Sequence, residues 1–137
     1  MFDKDILNTE ELRFLADIGS AGLKCKMPEV AESICRSLLP FCPSNSNGPV
    51  IGVAMGLFGQ SKAEEAVTLL KEKALVDDPK CADSHAHLAL ILRATGRKAE
   101  SDFYLQSAVE QCVDSSLSDL IYKIEEGFFD NNLLQAR

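Results

Sequence analysis

The sequence predicts an all-α fold of three stacked helical hairpins followed by a C-terminal capping helix. Three observations carry this. Apolar residues recur at helical spacing along most of the chain. Helix-breaking residues punctuate those stretches at Pro28, Pro40, Pro79 and Gly96. The pattern also returns with a fixed step of 35 residues. Gly19, Ala54 and Ala89 share that step, as do Ala31, Ala66 and Ser101. Small residues in two recurring columns are what closely approaching helices need. Ile18, Val53 and Leu88 keep the step, as do Cys35, Leu70 and Leu105, and Gly22, Leu57 and Leu92. The column Leu38, Lys73, Ala108 breaks at Lys73. Sliding by one to Ala74 restores it, which predicts a shift inside the second helix of the second hairpin.

The order of elements follows. Asn8 or Thr9 caps a first helix whose inward face is Leu12, Leu15, Ile18, Gly19 and Gly22. Pro28 opens the next helix, where its missing N–H costs nothing. Ala31, Ile34, Cys35 and Leu38 face inward there, and Pro40 stops it. Phe41–Pro49 reads as a loop. Val50–Phe58 is a compact apolar helix in which close packing favours Gly52 and Gly56. Ser61, with Glu64 three residues on, is the expected N-cap of the following helix. Its inward face is Ala66, Leu69, Leu70, Ala74 and Leu75, and Asp77–Asp78–Pro79 breaks it. The third hairpin begins near Ala82 and turns at Gly96. Ala99, Phe103, Leu105 and Ala108 form the inward face of its second helix. Ser116 or Ser118 caps the last helix, which ends near Gly127. The expectation is one domain over residues 1–137, with hairpins at about 12–45, 47–81 and 82–114, a capping helix at about 116–127 and a tail at 128–137.

Composition excludes several functions. The chain has 137 residues, a net charge of −7 and 46% apolar residues without Trp. An acidic chain lacking a Lys/Arg cluster argues against nucleic acid and against an anionic membrane surface. No apolar run suits a membrane span, and the start has no secretory h-region. Five cysteines without a CxxC read as reduced thiols of a cytoplasmic protein. His85 and His87 stand two apart on a helix, so they point to different sides and share a metal poorly. Gly56–Lys62 lacks the spacing of a phosphate loop. No nucleophile–base constellation is present, so the chain reads as a non-enzyme with no metal and no cofactor.

The recurring columns over roughly Leu12–Asp114 resemble the tetratricopeptide repeat family, whose period is about 34 residues. Each unit here is one residue longer, an addition expected in a loop. In such a repeat the first helices line a concave face. Counted in that register, the face carries Leu23, Ile51, Met55, Phe58, Ala86 and Leu90, with Arg13, Lys24 and Arg93 at its rim. Some of these side chains could instead pack against neighbouring repeats. An apolar groove with a basic rim suits an amphipathic helix laid in by its apolar face. It does not suit the carboxylate tail of a heat-shock chaperone, which needs Lys and Asn at these positions.

Size, acidity, three degenerate repeats and an apolar groove further resemble the small cytoplasmic chaperones of type III secretion needle subunits. The resemblance implies a secreted, self-assembling client whose amphipathic helix lies on Leu23, Ile51, Met55, Phe58, Ala86, Leu90 and Arg93. It also implies a small helical co-chaperone. Leu12, Leu15, Ile34 and Leu38 lack a preceding helix to cover them. They form a second surface, for such a co-chaperone or for a second copy of the chain. The alternative from another class is a structural adaptor that tethers two folded proteins.

Overall fold

Pro28 opens the first helix that the structure describes. The structure is a computed structural model, and it describes residues 26–41, 47–112 and 115–127. These residues are helical, with no strand among them. Helix α1 is Pro28–Leu38, followed by a 3-10 turn at Leu39–Phe41. Helix α2 is Gly48–Gly59. Helix α3 starts as Ala63–Leu69, passes through one π-helical turn at Leu70–Ala74 and finishes as Leu75–Asp77. Helices α4 and α5 are Ala82–Ala94 and Lys98–Gln111, and α6 is Ser115–Glu125. The chain divides into two compact units, Met1–Asp78 and Pro79–Arg137. The boundary falls at the proline that separates the second and third hairpins.

The period of the sequence reappears in the backbone. Lys26, Ser61 and Gly96 all have positive φ, at 59°, 65° and 83°, and stand 35 residues apart. Each is followed by a non-helical residue of similar backbone angles, Met27, Lys62 or Arg97, with ψ of 64°, 52° and 66°, and then by the first residue of a helix. At the latter two turns the same bond closes the preceding helix. Lys62 N donates to Leu57 O at 2.9 Å, and Arg97 N donates to Leu92 O at 2.8 Å. This is the left-handed C-terminal motif that satisfies carbonyls a helix end would otherwise leave bare. Gly96 takes that conformation without strain. Lys26 and Ser61 carry a Cβ against it, a cost of roughly 1–2 kcal/mol each. Ser61 is therefore not the N-cap that its spacing to Glu64 suggested. The cap position belongs to Lys62, and no side chain bonds there.

The unit holding α1, α2 and α3 packs through small residues. Ala31, Ala54 and Ala66 are fully buried. Gly56 of α2 lies so close to α1 that a Cβ there would meet Pro28 O and Glu32 Cβ at 2.9 Å. Gly52, one turn earlier, lies directly against Cys35. The close packing expected for these glycines is thus α2 against α1. The π turn explains the broken column. It accommodates one residue more than a regular helix would, so Leu70 and Ala74 are both buried while Lys73 is exposed. The π turn places its additional residue inside the second helix of this hairpin. Asn47, itself buried, donates from Nδ2 to Ala74 O at 2.9 Å and ties the entry of α2 to that turn. The loop read as Phe41–Pro49 ends earlier than expected, because Gly48 and Pro49 belong to the first turn of α2.

In the other unit α4 is the central element. Leu88, Ala89, Ile91 and Leu92 are fully buried. Helix α5 buries Ser101, Leu105 and Ala108 against it. Ala99 and Phe103 were expected on that inward face, but Ala99 is exposed and Phe103 is 65% exposed. Ser101 and Leu105 set the buried stripe, and Phe103 falls beside it. Ser101 also continues the small-residue column of Ala31 and Ala66, and its Oγ donates to Ala89 O at 2.7 Å. That bond joins the two recurring small columns directly. Helix α6 lays Leu117, Ile121 and Ile124 inward at helical spacing, as a capping helix does. It begins at Ser115, so Ser118 lies inside its first turn and is not the cap.

Candidate partner-binding surface

Ile51, Met55 and Phe58 follow one another at i, i+4 and i+7, so they share one face of α2. Ile51 is buried, whereas Met55 and Phe58 are only half-buried. The glycine side of the same helix is occupied by α1. Helix α2 therefore has one closed side and one side that leaves two large apolar side chains partly open. Gly52 and Gly56 permit the first, and an unbranched, polarisable Met and a Phe furnish the second.

The expected groove residues of the third hairpin sit differently. Ala86 is fully buried and Leu90 is 4% exposed. Arg93, expected at a basic rim, is 6% exposed and works inside its own unit. Its Nη2 meets Asp102 Oδ1 at 2.6 Å, Nη1 donates to Ile124 O at 2.9 Å, and Nε donates to Ser101 Oγ at 3.3 Å. One guanidinium thus joins α4, α5 and α6, a use of its forked donors that lysine could not copy. Sequence spacing placed Arg93 on the right helix but could not tell a rim cation from an internal clasp. The signal available was Asp102, nine residues on at the start of the next helix. Leu23, Arg13 and Lys24 lie outside the described residues. On the second expected surface, Leu12 and Leu15 also lie outside them, while Ile34 is half-buried and Leu38 is 2% exposed.

The polar groups nearest α2 are arranged for structure. Glu32 of α1 receives Arg36 Nε at 2.6 Å on one oxygen and Gln60 Nε2 at 2.7 Å on the other. The bonds from Gln60 and Arg36 hold its carboxyl below the usual carboxylate range. The Gln60 bond stitches the C-terminal end of α2 to α1. Burial pushes the Cys35 thiol up, as suits an inert packing cysteine. His85 Nε2 lies 2.8 Å from Pro79 O and its ring stacks on Tyr104 at 5.9 Å. His87 Nδ1 lies 2.7 Å from Asp83 O, and desolvation lowers its pKa from the ordinary histidine value. The two imidazoles serve different partners, as their spacing predicted. Among the described residues no three His, Cys, Asp or Glu side chains are grouped so as to hold a metal ion. Among them, too, no helix is long and apolar enough to cross a membrane.

The chain was compared with protein-family models and with curated proteins, and it matches none of them.

Proposed function

We propose that this chain is a tetratricopeptide-like protein that acts as a cytoplasmic chaperone. It would hold an amphipathic helix of a secreted, self-assembling subunit of the type III secretion needle class. The observation that carries this reading is the face of α2 on which Met55 and Phe58 stay half-open, beside the glycine face that α1 closes. The 35-residue recurrence of left-handed turn, non-helical cap residue and helix start supports the repeat assignment. A client helix laid on Met55 and Phe58 buries apolar surface on both partners and hides the face by which the subunit would polymerise.

The test uses the full chain and a fluorescent peptide copying the C-terminal helix of a needle subunit. Saturable binding is expected. Met55→Glu or Phe58→Glu places a charge against the client's apolar face and weakens binding by about 2 kcal/mol or more. Unchanged affinity in variants that stay helical by circular dichroism would remove the site from α2. Binding without any delay of subunit polymerisation would favour an adaptor that only tethers folded proteins.

A further inference from the structure

A second groove lies on the unit that holds α1, α2 and α3. It has a volume of about 560 Å³ and runs between α1 and α3, with Leu57 of α2 as its floor. Glu65, Thr68, Leu69 and Glu72 line it from α3 at i, i+3, i+4 and i+7, so they form one continuous stripe. The stripe reads acid, hydroxyl, apolar, acid. Glu65, Thr68 and Glu72 are exposed, and Leu69 is half-buried. Two cations also border the groove, and both are engaged within their own helices. Arg36 bonds to Glu32 at 2.6 Å, and Lys73 bonds to Asp77 at 3.3 Å. With Glu64 also bordering it, carboxylates outnumber cations three to two around the groove and set the sign of its rim. Glu72 and Lys73 belong to the π turn, a local irregularity of the kind often found at functional positions.

We infer that this groove docks a cationic amphipathic helix of a partner protein, separately from the client face of α2. Charge complementarity selects that occupant. Seven residues of helix span about 10 Å. A partner helix lying along the groove with Lys or Arg at i and i+7 meets Glu65 and Glu72. A Leu or Ile at its i+3 or i+4 then drops onto Leu57 and Leu69. An acidic helix of the same shape meets two like charges and is rejected. The groove is open, so the contact is an exposed one with strong salt dependence.

The probe is a fluorescein-labelled helical peptide of fourteen residues, built of Leu on one face and Lys on the other. Its Kd for the full-length protein is read by fluorescence anisotropy at low and high salt. Saturable binding that weakens with salt is expected, and the same peptide with Glu for every Lys does not bind. Glu65→Lys with Glu72→Lys lowers affinity about tenfold, because two exposed pairs become repulsive. Thr68→Arg, which fills the groove from an exposed position, lowers it similarly. Glu110→Lys on α5, which carries half that charge change, leaves it within about twofold. Absent binding, binding of the acidic peptide, or equal affinity for Glu110→Lys and for the Glu65/Glu72 variant would overturn the inference. So would loss of peptide binding in Met55→Glu with none in the Glu65/Glu72 variant. Needle-peptide binding is measured on the same proteins, so failure of the client reading and failure of this one are told apart.

Discussion

Gly56→Ala tests the closeness of α1 to α2, and the structure sets its sign. Alanine in place of glycine inside a helix is ordinarily favourable, by about 1 kcal/mol. Gly48→Ala collects at most that gain, since nothing lies within 4 Å of a Cβ there. At Gly56 the added carbon would stand 2.9 Å from Pro28 O and 3.0 Å from Glu32 N. Both are backbone atoms, so no rotamer change relieves the clash and α1 must move as a whole. Such overpacking costs about 1–3 kcal/mol. That movement would also strain the bond from Gln60 to Glu32 that spans the two helices. Gly56→Ala is therefore expected to lie about 1–3 kcal/mol below Gly48→Ala in stability. For a chain of this size, at roughly 3–5 °C per kcal/mol, that separates the thermal midpoints by on the order of 3–15 °C. Urea unfolding followed by far-ultraviolet circular dichroism reads the difference. A Gly56→Ala variant as stable as Gly48→Ala would refute the close approach of the two helices.

Other expectations follow from particular residues. Arg93→Leu removes the link from α4 to Asp102, Ser101 and the Ile124 carbonyl, and should cost about 2–4 kcal/mol in urea unfolding. Arg93→Lys should recover little of it; full recovery would show that charge alone matters there. Ala89→Leu, at a fully buried position whose carbonyl accepts from Ser101, should lower the midpoint by about 1–3 kcal/mol equivalent, whereas Ala99→Leu at an exposed position should not. Equal midpoints would undo the repeat register. The Glu32 carboxyl has a folded-state pKa below its unfolded value of about 4.5, so its contribution is complete above that pH and is lost as pH falls through the folded value. Glu32→Gln should flatten the acid limb of the stability curve below about pH 5 and leave the neutral limb parallel to that of the unaltered chain; an unchanged acid limb would remove Glu32 from the linkage.

Much of the helical order was legible in the sequence because it rests on local chemistry. Pro28 accepts the first turn of α1, Gly96 accepts a left-handed turn, and apolar residues at helical spacing mark each inward face. The 35-residue step, read from Ala31, Ala66 and Ser101, located buried small residues without any structure. Even the misplaced Lys73 announced a shift, since a charged side chain cannot occupy a buried column and the helix must adjust around it. What sequence spacing could not decide were matters of competition in three dimensions. Ser61 offers an N-cap hydroxyl, yet the turn needs a left-handed residue at that position, and closure of the preceding helix wins. Phe103 is apolar enough for the core, but Ser101, bonded to Ala89, takes the inward position and leaves the ring outside. Arg93 has the spacing of a rim cation, but Asp102 and the end of α6 converge on it from elements distant in sequence. A periodic pattern fixes which side of a helix is apolar. Only the packed neighbours determine which of those side chains meet solvent, which meet each other, and which remain open for a partner.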